Sequence, residues 1–384
     1  MEISFCTAVA PVNIAVIKYW GKKDETLIIP INDSFSVTLS KNEMCAKTTV
    51  ACSDKFEEDK FWLNGKEQDL FNPRLQNCLR ELKKRAKDKK LTQLSLHICS
   101  ENNFPTAAGL ASSAAGFACL VVALSELYGI KEDLSAIARQ GSGSACRSVF
   151  GGFVHWHKGI LEDGSDSIAY QFASKEHWPE LKILIIVVNA GKKETGSTKG
   201  MKETTRTSSL LKFRASHIVP ERIKAIQKAI LEKDFHSFAE ITMKDSNQFH
   251  AVCLDTYPPL HYLNSTSYKI MNFIHAYNDH FGQNKVAYTF DAGPNACLYL
   301  LENEVPTVLS ALKALFPPVE EDLKFIRGFE SPLQPISEVF LDSFKIDPQP
   351  GAIQYIINSR IGSGPSILED DGQHLLNKDG LPIS

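Results

Sequence analysis

The segment Pro105-Thr106-Ala107-Ala108-Gly109-Leu110-Ala111-Ser112-Ser113-Ala114-Ala115-Gly116 constrains the fold more than any other stretch of the chain. It follows a run in which Leu94, Leu96 and Ile98 are apolar while Ser95 and His97 are polar, the period-two signature of a strand with one buried face. It leads into Ala118 to Tyr128, apolar and alanine-rich, which reads as a packed helix ending at Gly129. A small-residue loop that opens a helix turns free backbone N–H groups and the positive end of the helix dipole toward one point. That arrangement is an anion site suited to phosphate. Ser112 and Ser113 add hydroxyls that can donate to a phosphate or ligate a phosphate-bound Mg²⁺. No Lys follows the last Gly, so the loop is not a Walker A motif. A tight strand–helix corner that needs small residues for packing is the competing reading.

The rest of the chain supplies a scaffold of ordinary globular composition. Its 384 residues imply two or three domains with ample core. Lys47 to Ala51 and Lys60 to Leu63 are short strand candidates, and Arg74 to Lys87 is a helix with Leu75, Leu79, Leu82 and Ala86 on one face. The other face of that helix carries Arg80, Lys83, Lys84 and Arg85, which reads as a solvated face. Lys182 to Val188 reads as a buried strand. Helices follow from Pro220, through Phe235, Phe238 and Ile241, and over Ile270 to Phe281. The polar stretch Gly191 to Lys202 places a domain boundary near 190, giving an N-terminal domain over 1–190 and a C-terminal domain over 191–384. The tail from about 331 is polar and Pro-rich, with strand-like pieces at Val339 to Leu341 and Ile353 to Ile357, and is expected to lie over one of the domains.

Charge and cysteine usage exclude several functions. A net charge of -3 argues against nucleic-acid binding by bulk charge. No window reaches the ~18 apolar residues of a membrane span, and the N-terminus carries no signal-like stretch. Nine scattered Cys with no CxxC pair suggest neither a disulfide framework nor a zinc site, so reduced thiols in a cytoplasmic protein are expected.

Four further clusters carry chemistry. Lys18, Tyr19, Trp20, Gly21 and Lys22 follow an apolar strand and read either as a solvated strand end or as a cationic clamp with an aromatic wall. Gly141 to Arg147 sets Ser142, Ser144 and Arg147 within six residues, either a Gly/Ser loop with an Arg on the surface or a loop able to hold a carboxylate or phosphate, the guanidinium bidentately. Cys146 beside Arg147 raises the alternative of an activated thiol. Asp291-Ala292-Gly293-Pro294-Asn295 lies between two apolar runs, either a plain turn or a carboxylate set by a rigid one. Arg74 follows Asn72-Pro73 at a helix start, where the dipole opposes a cation unless an anion also arrives. His155 and His157 alternate on one strand face without a third metal ligand of suitable spacing, and His250 and His261 stand isolated.

Together these segments carry a resemblance. Pro105 to Ala115 is similar to the phosphate-binding motif of the GHMP kinase superfamily. Within it, NIAVIKYWGK (Asn13 to Lys22), NFPTAAGLASSAAG (Asn103 to Gly116), GSGSACRSVFGGF (Gly141 to Phe153) and FDAGPNA (Phe290 to Ala296) resemble the mevalonate diphosphate decarboxylases. The resemblance implies an α+β protein of GHMP kinase fold. Its N-terminal domain would be like ribosomal protein S5 domain 2 and its C-terminal domain a ferredoxin-like sandwich, with the active site in the cleft between them. It implies conversion of (R)-5-diphosphomevalonate and ATP to isopentenyl diphosphate, CO₂, ADP and phosphate, with Mg²⁺ as cofactor, by a homodimer.

The same resemblance assigns roles. Asp291 would face the substrate 3-hydroxyl, Arg147 would hold the carboxylate, and Lys18 would lie between substrate and the ATP γ-phosphate. Tyr19, Trp20, Gly21, Lys22 and Arg74 would bind the diphosphate, with Thr198 also at the substrate. Ser142, Gly143, Ser144, Ala145 and Cys146 would shape the carboxylate pocket. Ala107, Ala108, Gly109, Leu110, Ala111, Ser112 and Ser113 would cradle the ATP phosphates and Mg²⁺; no carboxylate metal ligand stands out. Two alternatives remain at this stage, a kinase that stops at phosphoryl transfer and a catalytically silent sensor on the same fold.

Overall fold

Period-two patterning builds the first layer of the molecule. The structure, a computed structural model, describes residues 3–104, 112–188, 195–320 and 324–383. Strand Ser4–Pro11 pairs antiparallel with Cys45–Ser53 over its whole length, and Cys45–Ser53 pairs antiparallel with Ser95–Asn102. Lys60–Leu63 joins Ser95–Asn102 in parallel, and Lys66–Gln68 closes that edge. The helix Ser112–Leu127 packs on Ser4–Pro11 and Cys45–Ser53, burying Ala115, Ala118, Cys119 and Ala123, small side chains that let a helix approach a sheet closely. This helix starts six residues before the expected Ala118, because its Ser/Ala/Gly opening carries almost no apolar periodicity to read.

A second sheet of four antiparallel strands runs in the order Ala169–Ala173, Phe153–Trp156, Ser34–Thr38, Asn13–Ile17. A third, of five strands, runs Val286–Phe290, Ala296–Leu301, Leu181–Val188, Ile353–Arg360, Ile326–Gly328. Leu181–Val188 sits at its centre, and Ile183 to Val188 are all buried, which is why this strand reads as a continuous apolar run rather than an alternation. The helix Phe235–Asp255 packs on Val286–Phe290 and reaches Asn13–Ile17 of the second sheet, so one continuous apolar core links the layers. Leu181–Val188 precedes residue 190, yet both its neighbours come later in the chain; sheet membership therefore changes over ahead of residue 181.

Residues 209–232 form one helical run interrupted by a π turn, Arg214–Ile218. Such turns absorb an extra residue and occur often at functional sites. Here the turn opens on Arg214, which is fully buried. Among the described residues no helix is long and apolar enough to cross a membrane. None of the nine Cys forms a disulfide. On the helix Pro73–Arg85, Glu81 pairs with Lys84 and Arg85 at 2.8 and 2.6 Å, as suits a solvated charged face.

The tail departs from expectation twice. Val339 to Leu341 lies in a short helix, Glu338–Asp342, not a strand; the Ser337 hydroxyl caps it by accepting from the Phe340 N–H. A cap outweighs the β-propensity of a three-residue run. Nor does the tail lie over one domain: Ile353–Arg360 is an inner strand of the third sheet, and Ser366–Leu368 pairs with Ser4–Pro11 at the edge of the first.

Candidate active site

The turn 291–295 is a pinned turn that presents a carboxylate. It joins Val286–Phe290 to Ala296–Leu301, and its neighbours pin it down. The Phe290 N–H donates to Ser246 Oγ at 3.0 Å, the Ser267 hydroxyl donates to the Pro294 carbonyl at 3.0 Å, and the Val188 N–H donates to Asn295 Oδ1 at 2.8 Å. Asp291 is thereby held with its Oδ1 at 2.6 Å from Lys18 Nζ. The lysine side chain is 3% exposed and the aspartate 30%, so the carboxylate, not the ammonium, is the group a ligand meets first. His250, which sequence reasoning left isolated, is buried where it feels both charges. Burial, helped by Lys18, holds its imidazole down to about 3, so it is neutral near pH 7.

Arg147 is the second focus. It opens toward the second sheet from the short helix Ala145–Ser148 and is 2% exposed. Nη1 donates to Ser34 Oγ at 2.6 Å, and Nε donates to Ser36 Oγ and Asn13 Oδ1 at 3.1 Å each. Asn13 is oriented in turn by donating to Ser148 Oγ at 2.7 Å and the Ser144 carbonyl at 3.0 Å. The guanidinium also lies 5.5 Å from the centre of the Trp156 ring. Burial draws its pKa down, opposed by the Asp291 carboxylate. Among the described residues it forms no ion pair with a carboxylate. A buried cation with neutral partners alone is costly, and an arriving anion relieves that cost. Ser34, Ser36 and Asn13 were missed as site residues; their alternation on two paired strands was the available signal.

The loop 141–147 carries this guanidinium and packs against its neighbours. Ser142 and Ser113 bring their hydroxyl oxygens to 3.2 Å, joining the loop to the start of the helix Ser112–Leu127. A Cβ on Gly143 would lie 2.7 Å from the Tyr19 ring, so only glycine lets Tyr19 lie over the loop. The Tyr19 hydroxyl is buried without a hydrogen bond among the described residues, and burial pushes its pKa up, keeping it a phenol. Cys146 is fully buried and its thiol is pushed up to about 12, the opposite of activation. Cys146→Ala is accordingly expected to keep kcat within about threefold, whereas a nucleophilic thiol would lose nearly all of it.

At the other end, Lys22, Arg74 and Thr198 converge although they lie far apart in sequence. Arg74 Nη2 donates to Thr198 Oγ1 at 3.1 Å. Burial lowers the Lys22 pKa, an effect offset by its hydrogen bond to Glu25 and reinforced by the charge of Arg74. Lys22 Nζ lies 2.6 Å from Glu25 Oε2. Gly21 has φ +89° and a Cβ there would meet Ile31 Cδ1 at 2.5 Å. The Trp20 ring is spent on packing: it lies 4.9 Å from Phe249 and 5.8 Å from Tyr262, and its N–H donates to Thr204 Oγ1 at 3.0 Å. What Trp20 has left for a ligand is its backbone.

Ser112 and Ser113 open the helix Ser112–Leu127; Ala107, Ala108, Gly109, Leu110 and Ala111 lie outside the described residues. Beside the two serines opens a cavity of about 290 Å³, lined by Phe61, Leu63, Ile98 and Phe117 with Ser100 and Asn102 among the polar groups. An apolar cleft with a few polar groups has the form of a small-molecule pocket. Sequence reasoning missed it because its walls come from separate strands. His155 and His157 are not a metal pair: His155 Nε2 lies 3.0 Å from Asp33 Oδ2 and its Nδ1 2.8 Å from the Tyr170 hydroxyl. No group of three or more His, Cys, Asp or Glu that could hold a metal occurs among the described residues.

Sheets of six, four and five strands packed with helices, beside a two-stranded ribbon, make this an α+β protein, and the likenesses that follow give it the GHMP kinase fold. Residues 10–169 match the family model of a diphosphomevalonate decarboxylase-like N-terminal domain, and residues 183–368 that of the mevalonate 5-diphosphate decarboxylase C-terminal domain. The diphosphomevalonate decarboxylase of Rattus norvegicus is 54% identical over 386 residues, covering 98% of this chain and 96% of the relative. The solved mevalonate diphosphate decarboxylase from Trypanosoma brucei superposes with a TM-score of 0.89 at 39% identity, covering 97% of this chain and 100% of that one. MDDEF in complex with MVAPP, AMPPCP and magnesium superposes with a TM-score of 0.75 at 30% identity, over 96% and 100%. The chain belongs to the diphosphomevalonate decarboxylase family.

Proposed function

We propose that this chain converts (R)-5-diphosphomevalonate and ATP to isopentenyl diphosphate, CO₂, ADP and phosphate, using Arg147, Lys18 and Asp291 as its reacting-end residues. The observation that carries the assignment is the buried Arg147 guanidinium, whose hydrogen-bond partners are all neutral. A plain carboxylate has no electron sink beside it, and a tertiary alcohol leaves poorly. Mg²⁺–ATP supplies the phosphoryl group that makes the 3-oxygen a leaving group. When phosphate departs with the C3–O electron pair, the C1–C2 pair becomes the C2–C3 double bond and CO₂ leaves.

The residues fit these demands. Asp291 either takes the proton of the 3-hydroxyl or orients that hydroxyl and, as a carboxylate, stabilises the developing cation at C3. Lys18, already on Asp291, neutralises charge on the transferring group. Arg147 holds the carboxylate in place until it is lost. A simple kinase has less use for a buried carboxylate receptor, and a sensor has no use for a 2.6 Å Lys–Asp pair at its anion site. Ser112 and Ser113 are set to meet nucleotide phosphates. Mg²⁺ is commonly carried in on phosphates and water. The deciding assay supplies ATP, Mg²⁺ and carboxyl-labelled diphosphomevalonate and counts CO₂ against ADP: equal amounts support decarboxylation, and ADP without CO₂ supports the kinase.

Lys22, Arg74, Thr198 and Tyr19 form the diphosphate end of this reading. Glu25 already covers the Lys22 ammonium, so a diphosphate must displace or oppose it. Glu25→Gln is expected to lower KM for the diphosphate roughly two- to fivefold with kcat unchanged, a range set by the half-exposed carboxylate. A raised KM would instead make Glu25 a support for Lys22. The reading keeps two domains, 1–190 and 191–384. The family resemblance adds a homodimer, and the scattered cysteines suggest a cytoplasmic protein.

A further inference from the structure

Lys18 follows the strand Asn13–Ile17, yet its backbone is held by the later half of the chain. Its N–H donates to Asp245 Oδ2 at 2.8 Å, and its carbonyl accepts from Arg214 Nη2 at 3.4 Å and from Asn32 Nδ2 at 3.1 Å. The two later residues form a bidentate pair, with Arg214 Nη1 at 2.8 Å from Asp245 Oδ1 and Nη2 at 2.8 Å from Oδ2. Both side chains are fully buried. Arg222 adds a second cation, Nη1 at 2.9 Å from Asp245 Oδ1, and Gln248 Oε1 accepts from both arginines.

We propose that Asp245 and Arg214 are positioning residues for the reaction, gripping Lys18 on both sides of its Cα and thereby setting where its ammonium meets Asp291. The N–H belongs to the peptide plane before Lys18 and the C=O to the plane after it. Fixing both planes fixes the direction of the Cα–Cβ bond and with it the base of a long flexible side chain. A buried ion pair is a poor way to gain stability, because desolvation offsets most of its attraction. It is a good way to fix geometry, because charge-assisted hydrogen bonds are short and directional. The π turn is a second, independent sign: it opens on Arg214, the residue that the grip requires. Misplacing a reacting group by about 1 Å can cost on the order of 10²-fold in rate.

The proposal rests on the role given to Lys18, and its test separates the two. Asp245→Asn and the milder Arg222→Gln are each made in the native enzyme and in a Lys18→Met background. In the native background Asp245→Asn is expected to lower kcat at least ~10-fold, and Arg222→Gln about threefold, with KM for both substrates changed less than about threefold. In the Lys18→Met background neither is expected to cost more than a further factor of about two, because there is no ammonium left to position. A residue needed only for folding would cost the same factor in both backgrounds, and equal losses overturn the proposal. If Asp245→Asn does not fold, the Arg222→Gln cycle decides by the same criterion. A Lys18→Met enzyme with near-normal kcat would remove Lys18 from the reaction and the positioning role with it. A crippled Lys18→Met enzyme with equal losses overturns the positioning role alone.

Discussion

Asp291→Asn is expected to slow turnover at least ~10²-fold while ATP and diphosphomevalonate still bind within a few fold of normal. The substitution preserves shape but removes the charge that pairs with Lys18 at 2.6 Å, and an amide can neither accept the hydroxyl proton nor stabilise a cation at C3. The turn itself survives, because the bonds from Ser246, Ser267 and Asn295 do not involve the Asp291 side chain. ADP and CO₂ should therefore fall together in single-turnover measurements while equilibrium binding is retained. Near-normal turnover would remove Asp291 from the mechanism.

Arg147→Gln should cost ~10²–10³-fold in kcat/KM for the diphosphate substrate, the range expected when a buried carboxylate loses its cation. ATP binding to the free enzyme should be unaffected. Arg147→Lys is expected to rescue little. The guanidinium donates to Ser34, Ser36 and Asn13 at once, and an ammonium cannot reproduce that fork and still face a carboxylate. Comparing kcat/KM of the three enzymes, with nucleotide affinity as a control, checks this. An Arg147→Lys enzyme close to wild type would show that charge alone suffices.

Local patterns gave the fold's parts, and distant partners were what they could not give. Lys60–Leu63 is legible residue for residue, and the buried run of Leu181–Val188 declares a central strand, because each is dictated by side chains within the element. The turn at 291–295 and the loop at 141–147 are legible because their chemistry is contiguous. Arg74 meeting Thr198 follows from the family resemblance and not from spacing, since 124 positions separate them. Asp245, Arg214 and His250 were invisible as site neighbours: each sits on a helix whose periodicity marks it as buried or not, and nothing in that period says what it faces. Sheet membership around residue 190 was illegible for a related reason. Polar composition marks a loop, but which sheet a strand joins depends on strands more than 100 residues away, as Leu184 pairing with Leu298 and Asn358 illustrates.

The pairing of Ile353–Arg360 inside the third sheet and Ser366–Leu368 against Ser4–Pro11 makes the last part of the chain a stitch through both halves. The Gly152 N–H to the Gly362 carbonyl at 2.9 Å and His97 to the Gly380 carbonyl at 2.7 Å draw that stitch tight. A polypeptide growing from its N-terminus can complete neither sheet until these two late strands emerge from the ribosome. Truncation ahead of Ser366 therefore strips an edge from the half that was synthesised first.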